Sequence, residues 1–155
     1  MRRALTASIF ALLLLIPGCG ASDDSAPAAC LRPPAAYLTA LGAAPEEVRL
    51  ADTPISSCLV ENQAAGELTR VGAVLVRTTT VLNAQARKSP GGLAPVQLGY
   101  LVGAVDKGAK DTSGIHSDLV RRIEAAATFS PGGKPLPGAF DAAYQRGMEA
   151  GRESG

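Results

Sequence analysis

Residues 52–92 read DTPISSCLVENQAAGELTRVGAVLVRTTTVLNAQARKSPGG, and how this stretch folds decides the architecture. It opens on Asp52-Thr53-Pro54, where a side-chain oxygen can cap free backbone N–H groups and proline takes the first helical position, which needs no N–H. It closes on Ser89-Pro90-Gly91-Gly92. Between them Ile55, Leu59, Leu68, Val71, Leu75, Leu82 and Ala86 recur mostly at three- and four-residue steps, the period of one helix face. The pattern predicts a helix from Pro54 to about Lys88, rising ~50 Å at 1.5 Å per residue. A helix that long is not stable alone in water and needs other elements to cover it.

Three features weaken it locally. Gly66 and Gly72 each cost ~1 kcal/mol relative to alanine, Thr78-Thr79-Thr80 is a β-branched run, and Asn62, Gln63, Asn83 and Gln85 add amides. The simplest expectation is that the glycines admit a neighbouring helix, the hydroxyls bond carbonyls one turn back and the amides face water. The alternative is a polar stripe lining a groove for a ligand. A break near Gly66 or at the threonines would divide the helix in two.

The chain beyond supplies the cover. A helix is expected from Leu93 or Pro95 to about Lys110, with Val96, Tyr100, Leu101, Ala104 and Val105 on its apolar side. Gly99-x-x-x-Gly103 puts two glycines on one face, suited to close approach by a partner backbone inside the domain or between copies. Asp111-Thr112-Ser113-Gly114 breaks the chain, and the next helix is read from Ile115 to about Thr128, burying Ile115, Leu119, Val120, Ile123 and Ala127. Ser130 to Gly138, rich in proline and glycine, reads as a docked strap. A last helix from Ala139 to about Arg152 carries Gly147-x-x-x-Gly151, with Glu153-Ser154-Gly155 fraying. Upstream, Pro33-Pro34 opens a short helix over Ala35 to Leu41. Ala44-Pro45-Glu46-Glu47 resembles another helix start, whereas Val48-Arg49-Leu50 alternates and could be extended or helical. The sum is an all-α fold, a small helical bundle around one long helix.

The N-terminus carries an address. Arg2-Arg3 precedes an apolar run, Ala4 to Ile16, of signal-peptide length, which then meets Ile16-Pro17-Gly18-Cys19. This tetrapeptide resembles the lipobox of bacterial lipoproteins, although Pro17 stands where that family usually has a small or β-branched residue. The resemblance implies that residues 1–18 are a signal peptide and that Cys19 receives a diacylglyceryl group and becomes the first residue of the mature chain, held on the outer face of the membrane. The alternative is an ordinary secretory signal containing a cysteine. Residues 19–29, small and acidic at Asp23 and Asp24, then read as a flexible tether, and 30–155 as one helical domain. The most apolar later stretch, Val96 to Val105, is far below the ~20 residues needed to span a bilayer.

Two cysteines remain. In an oxidising envelope Cys30 and Cys58 are expected to form one disulfide. Closing a loop of about 29 residues contributes ~3.6 kcal/mol in the chain-entropy model. A metal site is the poorer reading, because the one histidine, His116, lies far away and the spacing matches no zinc pattern. No cofactor is expected.

Losing residues 1–18 takes the formal charge from +1 to −1, so there is no electrostatic footprint for nucleic acid. His116-Ser117-Asp118 contains the residue types of a hydrolase triad, but helix neighbours point about 100° apart and cannot form the hydrogen-bonded line. His116 is read as a surface residue or cap neighbour. There is no nucleophile elbow and no phosphate loop. Glu46, Glu47, Glu61, Glu67 and Glu124 could pair for sugar hydrolysis only if the fold joined them, and a solvated surface explains each. The expectation is therefore a non-enzymatic, lipid-anchored envelope protein with a structural or protein-interaction role. The alternative is a binding module holding a small apolar ligand between the long helix and the Val96–Val105 helix, with an envelope hydrolase behind both. Its partners would be the membrane, through Cys19, and an envelope protein; the oligomeric state is open.

Overall fold

The computed structural model describes residues 24–155, so the signal peptide and Cys19 lie outside the described residues. Among the described residues there are five α-helices: α1 (Pro34–Ala40), α2 (Ala65–Lys88), α3 (Leu93–Asp111), α4 (Ser117–Thr128) and α5 (Gly138–Ser154). Two short strands, β1 (Arg49–Leu50) and β2 (Thr53–Pro54), pair antiparallel with Arg49 opposite Pro54 and Leu50 opposite Thr53. The fold is all-α in substance, a helical bundle stapled by a Cys30–Cys58 disulfide.

The longest helix is α2, but it starts at Ala65 and not at Pro54. Asp52-Thr53-Pro54 is spent on a hairpin: Ala51 takes a left-handed φ of 54° at the turn, and Arg49 donates to the backbone oxygen of Asp52. Ser56–Cys58 then forms one 3₁₀ turn that carries Cys58, so the staple lies before α2 and not inside it. Gly66 falls in the first turn of α2, where it interrupts nothing. The threonines do not break the helix either: Thr78, Thr79 and Thr80 each donate to the carbonyl four residues back, at 2.8–2.9 Å. Val48-Arg49-Leu50 resolves as extended chain, and Ala44-Pro45 is a cis peptide following a 3₁₀ turn, not a helix start.

Gly147 of α5 meets the backbone of Val96 of α3, and Gly151 that of Tyr100, so α3 and α5 run parallel. Likewise Gly72 of α2 meets Leu119, and Asn83 bonds the Ala126 carbonyl, so α2 and α4 run parallel. Gly108, late in α3, meets the backbone of Ser56 ahead of α2, so α3 runs opposite to α2 and the helices α2 to α5 alternate in direction. The helix with neighbours on most sides is α3, which buries twelve residues from Pro95 to Ala109.

Three further expectations change. Ile115 stands outside α4 and is 53% exposed, because Ser113 and Gly114 turn the chain with φ of 56° and 76° and bring His116 into the interior instead. The end of the chain does not fray: Gly155 is buried, and its backbone oxygen accepts a hydrogen bond from Ser56. The expected tether also gives way to docked chain at Asp24, whose N–H donates to the Asn62 carbonyl at 3.2 Å. Two residues on, Ala26 is buried and its N–H donates to the Glu67 carboxylate at 2.8 Å, beside the N-terminus of α2. Ser130–Gly138 behaves as a strap: Arg87 donates to Ser130, and Leu136 is packed partly into the core.

Candidate functional site

Cys30 and Cys58 are fully buried, with Cα atoms 5.4 Å apart. Tyr37 of α1 donates its hydroxyl to the Cys30 carbonyl at 2.9 Å and lies 3.6 Å from the Cys58 sulfur; burial pushes its pKa up. The pair is sealed under an aromatic ring, which gives it a structural role and no access for thiol exchange.

The glycines expected to make room for an apolar ligand beside the long helix face α5 and not α2. A Cβ on Gly99 would collide with the Tyr144 and Met148 backbone, and one on Gly103 with the Met148 and Arg152 backbone. The glycines of each helix thus seat the other helix, which is the internal-packing option for Gly99 and Gly103. Tyr100 is fully buried; its hydroxyl accepts the Val48 N–H at 3.0 Å and lies 3.2 Å from the Ser154 hydroxyl.

His116 is 1% exposed, and Nε2 lies 3.0 Å from the Val60 carbonyl. A carbonyl only accepts, so this nitrogen carries the proton, and Nδ1 is left buried without a partner. The ring is a strut between α4 and the segment before α2, not a surface group. Glu46, Glu47, Glu61 and Glu124 are exposed and dispersed, while Glu67 serves Ala26. Among the described residues no three His, Cys, Asp or Glu side chains cluster as a metal site.

Two clefts lie at opposite ends of the bundle. Near the entry of the chain is a polar groove of about 440 Å³, lined by Asp24, Ser56, Val60, Glu61, Lys107 and Asp111. Its charges are already engaged in part, since Lys107 pairs with Asp111 at 2.9 Å. Behind it Asp106 joins α3 to α5. Burial alone would raise its pKa, but Lys110 at 3.0 Å and Arg152 at 2.8 Å hold it below the ordinary carboxylate value.

The other cleft, about 280 Å³ and mostly apolar, lies between the last turns of α2 and the end of α4. Thr80, Ala84, Ala126, Phe129 and Pro131 line it, together with Asn83 and Arg87. Asn83, expected to face water, is 4% exposed: its amide donates to the Ala126 and Phe129 carbonyls at 2.7 and 2.9 Å. Arg87 also donates to the Phe129 carbonyl. Asn83 Oδ1 and Arg87 Nε are left without partners, one acceptor and one donor a turn apart on α2. Sequence reading missed this pair. The available signal was Asn83 lying next to Leu82, on the same face as Thr79 and Ala86.

No family model, curated protein or solved structure matches the chain.

Proposed function

We propose that this chain is a lipid-anchored protein of the cell envelope, held on the extracytoplasmic face of a membrane through Cys19. Its role is to contact another envelope protein with the end of the bundle farthest from the anchor. The observation that carries this reading is the opposition of two features along α2. The chain enters the domain at Asp24, beside Asn62 and Gln63 just before α2 begins. Phe129 and Leu93, the two most exposed large apolar side chains among the described residues, are 63% and 61% exposed and stand where α2 ends and α3 begins. The 24 residues of α2 separate the two ends by ~36 Å.

The apolar cleft beside Phe129 gives that end a chemistry. Its walls of Thr80, Ala84, Ala126, Phe129 and Pro131 accept an aliphatic side chain.

A photo-crosslinking amino acid placed at Phe129 in the cell that makes the protein tests the interaction. The expected result is one discrete adduct, missing from the same substitution at Arg122 on the exposed side of α4. Adducts of equal yield from both positions, or none from Phe129, would remove the interaction reading. The anchor is tested separately by a denaturing mass of the detergent-extracted protein, expected to show lipid on a chain that begins at Cys19.

A further inference from the structure

We infer that the turn Thr112–His116 is a membrane-contact surface, with Ile115 entering the headgroup layer of the bilayer that holds the lipid on Cys19. The inference rests on the anchored reading above and adds which face of the domain meets the membrane.

The first argument is reach. Asp24 is fastened to the domain by its N–H on the Asn62 carbonyl and by its carboxylate, which accepts from the Asn62 amide at 3.2 Å. From Cys19 to Asp24 there are five residue steps, at most ~18 Å of fully extended chain. That is half the ~36 Å length of α2. The end of the bundle that receives Asp24 therefore stays beside the bilayer, and the Phe129 end cannot take its place.

The second argument is what stands at that end. Val60-Glu61-Asn62, the segment that holds Asp24, also holds the turn: Glu61 accepts from the Ser113 hydroxyl at 3.4 Å and the Val60 carbonyl accepts from His116. Thr112 and His116 are buried on either side, and Thr112 donates to the Gly108 carbonyl at 2.9 Å. The base of the turn is thus rigid. Ser113 and Gly114 reverse the chain in left-handed conformations, and Ile115 is left outward at 53% exposure. A single exposed isoleucine is ordinary on a protein surface; this one is held on a fixed base beside the point where the anchoring segment leaves the domain. Lys107 and Lys110 share this end of the bundle with Asp111 and Glu61, so it carries both signs of charge and meets a zwitterionic surface without strong repulsion.

The chain contains no tryptophan, so one introduced residue reports one place. Lipidated full-length protein carrying Ile115→Trp, and in a second sample Phe129→Trp, would be reconstituted into phosphatidylcholine vesicles brominated near the top of the acyl chains. Both positions are exposed, so neither substitution disturbs the core. The expected result is that the tryptophan at 115 loses most of its emission and shifts to the blue, while the one at 129 keeps the emission it has without bromine. An unquenched tryptophan at 115 in protein that floats with the vesicles overturns the inference and leaves the anchor standing. Equal quenching at 129 overturns it as well. Protein that does not float removes the anchored reading itself, and this inference with it.

Discussion

The hydroxyl of Tyr100, midway along α3, accepts the backbone N–H of Val48 at 3.0 Å, and this bond ties the segment before the hairpin to the most enclosed helix of the bundle. Both residues are fully buried. Tyr100→Phe removes the acceptor of this buried N–H, at a cost of about 1–3 kcal/mol. Urea unfolding should show a lower midpoint at unchanged slope; an unchanged midpoint would mean that Val48 finds another acceptor.

The glycines divide into two groups by what surrounds them. Gly103→Ala and Gly151→Ala each push a methyl group into the backbone of the facing helix, which must move away, so each should cost at least the ~1–3 kcal/mol typical of overpacking. Gly66 has open space around its Cβ position, and Gly66→Ala should be neutral or stabilising by up to ~1 kcal/mol. Thermal melts of the three variants provide the comparison. Equal effects would show that the close approach of α3 and α5 is not what the first two glycines supply.

Reduction of the Cys30–Cys58 bond frees a loop with 28 residues of sequence separation. About 3–4 kcal/mol should be lost on the chain-entropy account. The double Cys30→Ala, Cys58→Ala variant should behave like reduced protein. Because Tyr37 covers the pair, reduction should be slow without denaturant and fast with it. Rapid reduction of the native protein would contradict the burial.

The pH limits follow from Asp106 on the acid side and from the buried tyrosines Tyr37 and Tyr144 on the alkaline side. Asp106 has its pKa lowered in the folded state by Lys110 and Arg152 against the opposing effect of burial. Its contribution to stability is therefore present above the unfolded carboxylate value and is lost as pH falls through the lowered one. Tyr144 behaves in the opposite sense: burial, with the nearby charges of Glu124 and Asp141, pushes its pKa up to about 12 against a smaller opposing effect of Arg152. Its contribution is complete below the ordinary tyrosine value of ~10 and is lost as pH rises toward 12. Asp106→Asn should flatten the acid limb of a stability profile, and Tyr144→Phe the alkaline limb. A profile unchanged by either would show that other groups set the limits.

The helices of the second half were legible because their period is long and their ends are punctuated. The Gly92/Leu93 and Pro137/Gly138 boundaries match the breaks in the sequence within a residue or two. The start of α2 was not legible. Asp52-Thr53-Pro54 is equally good chemistry for a helix start and for the second strand of a hairpin, and the choice depends on Arg49 and Leu50 being held opposite Thr53 and Pro54. His116 and Ile115 exchanged their expected places for a similar reason. Hydropathy favours burying the isoleucine, but the left-handed turn at Ser113 and Gly114 sets which of the two neighbours points inward, and the Val60 carbonyl rewards the histidine. The burial of Asn83 and Arg87 was only faintly legible, in Asn83 sharing a face with Thr79 and Ala86, because both are ordinary residues for an exposed helix surface and only the end of α4 arriving beside them removes the water.

By itself the sequence determined the helical class, the Cys30–Cys58 pair as the only even set after Cys19, and glycines spaced for close helix contact. These depend on local period, composition and spacing, which act within a few turns of chain. Only the tertiary structure decided that α3 and not α2 is the most enclosed helix, that the two glycine motifs seat each other in parallel, and that Asp24 and Phe129 mark opposite ends. Those outcomes depend on contacts between residues tens of positions apart, whose free energy exists only once the helices have packed and excluded water.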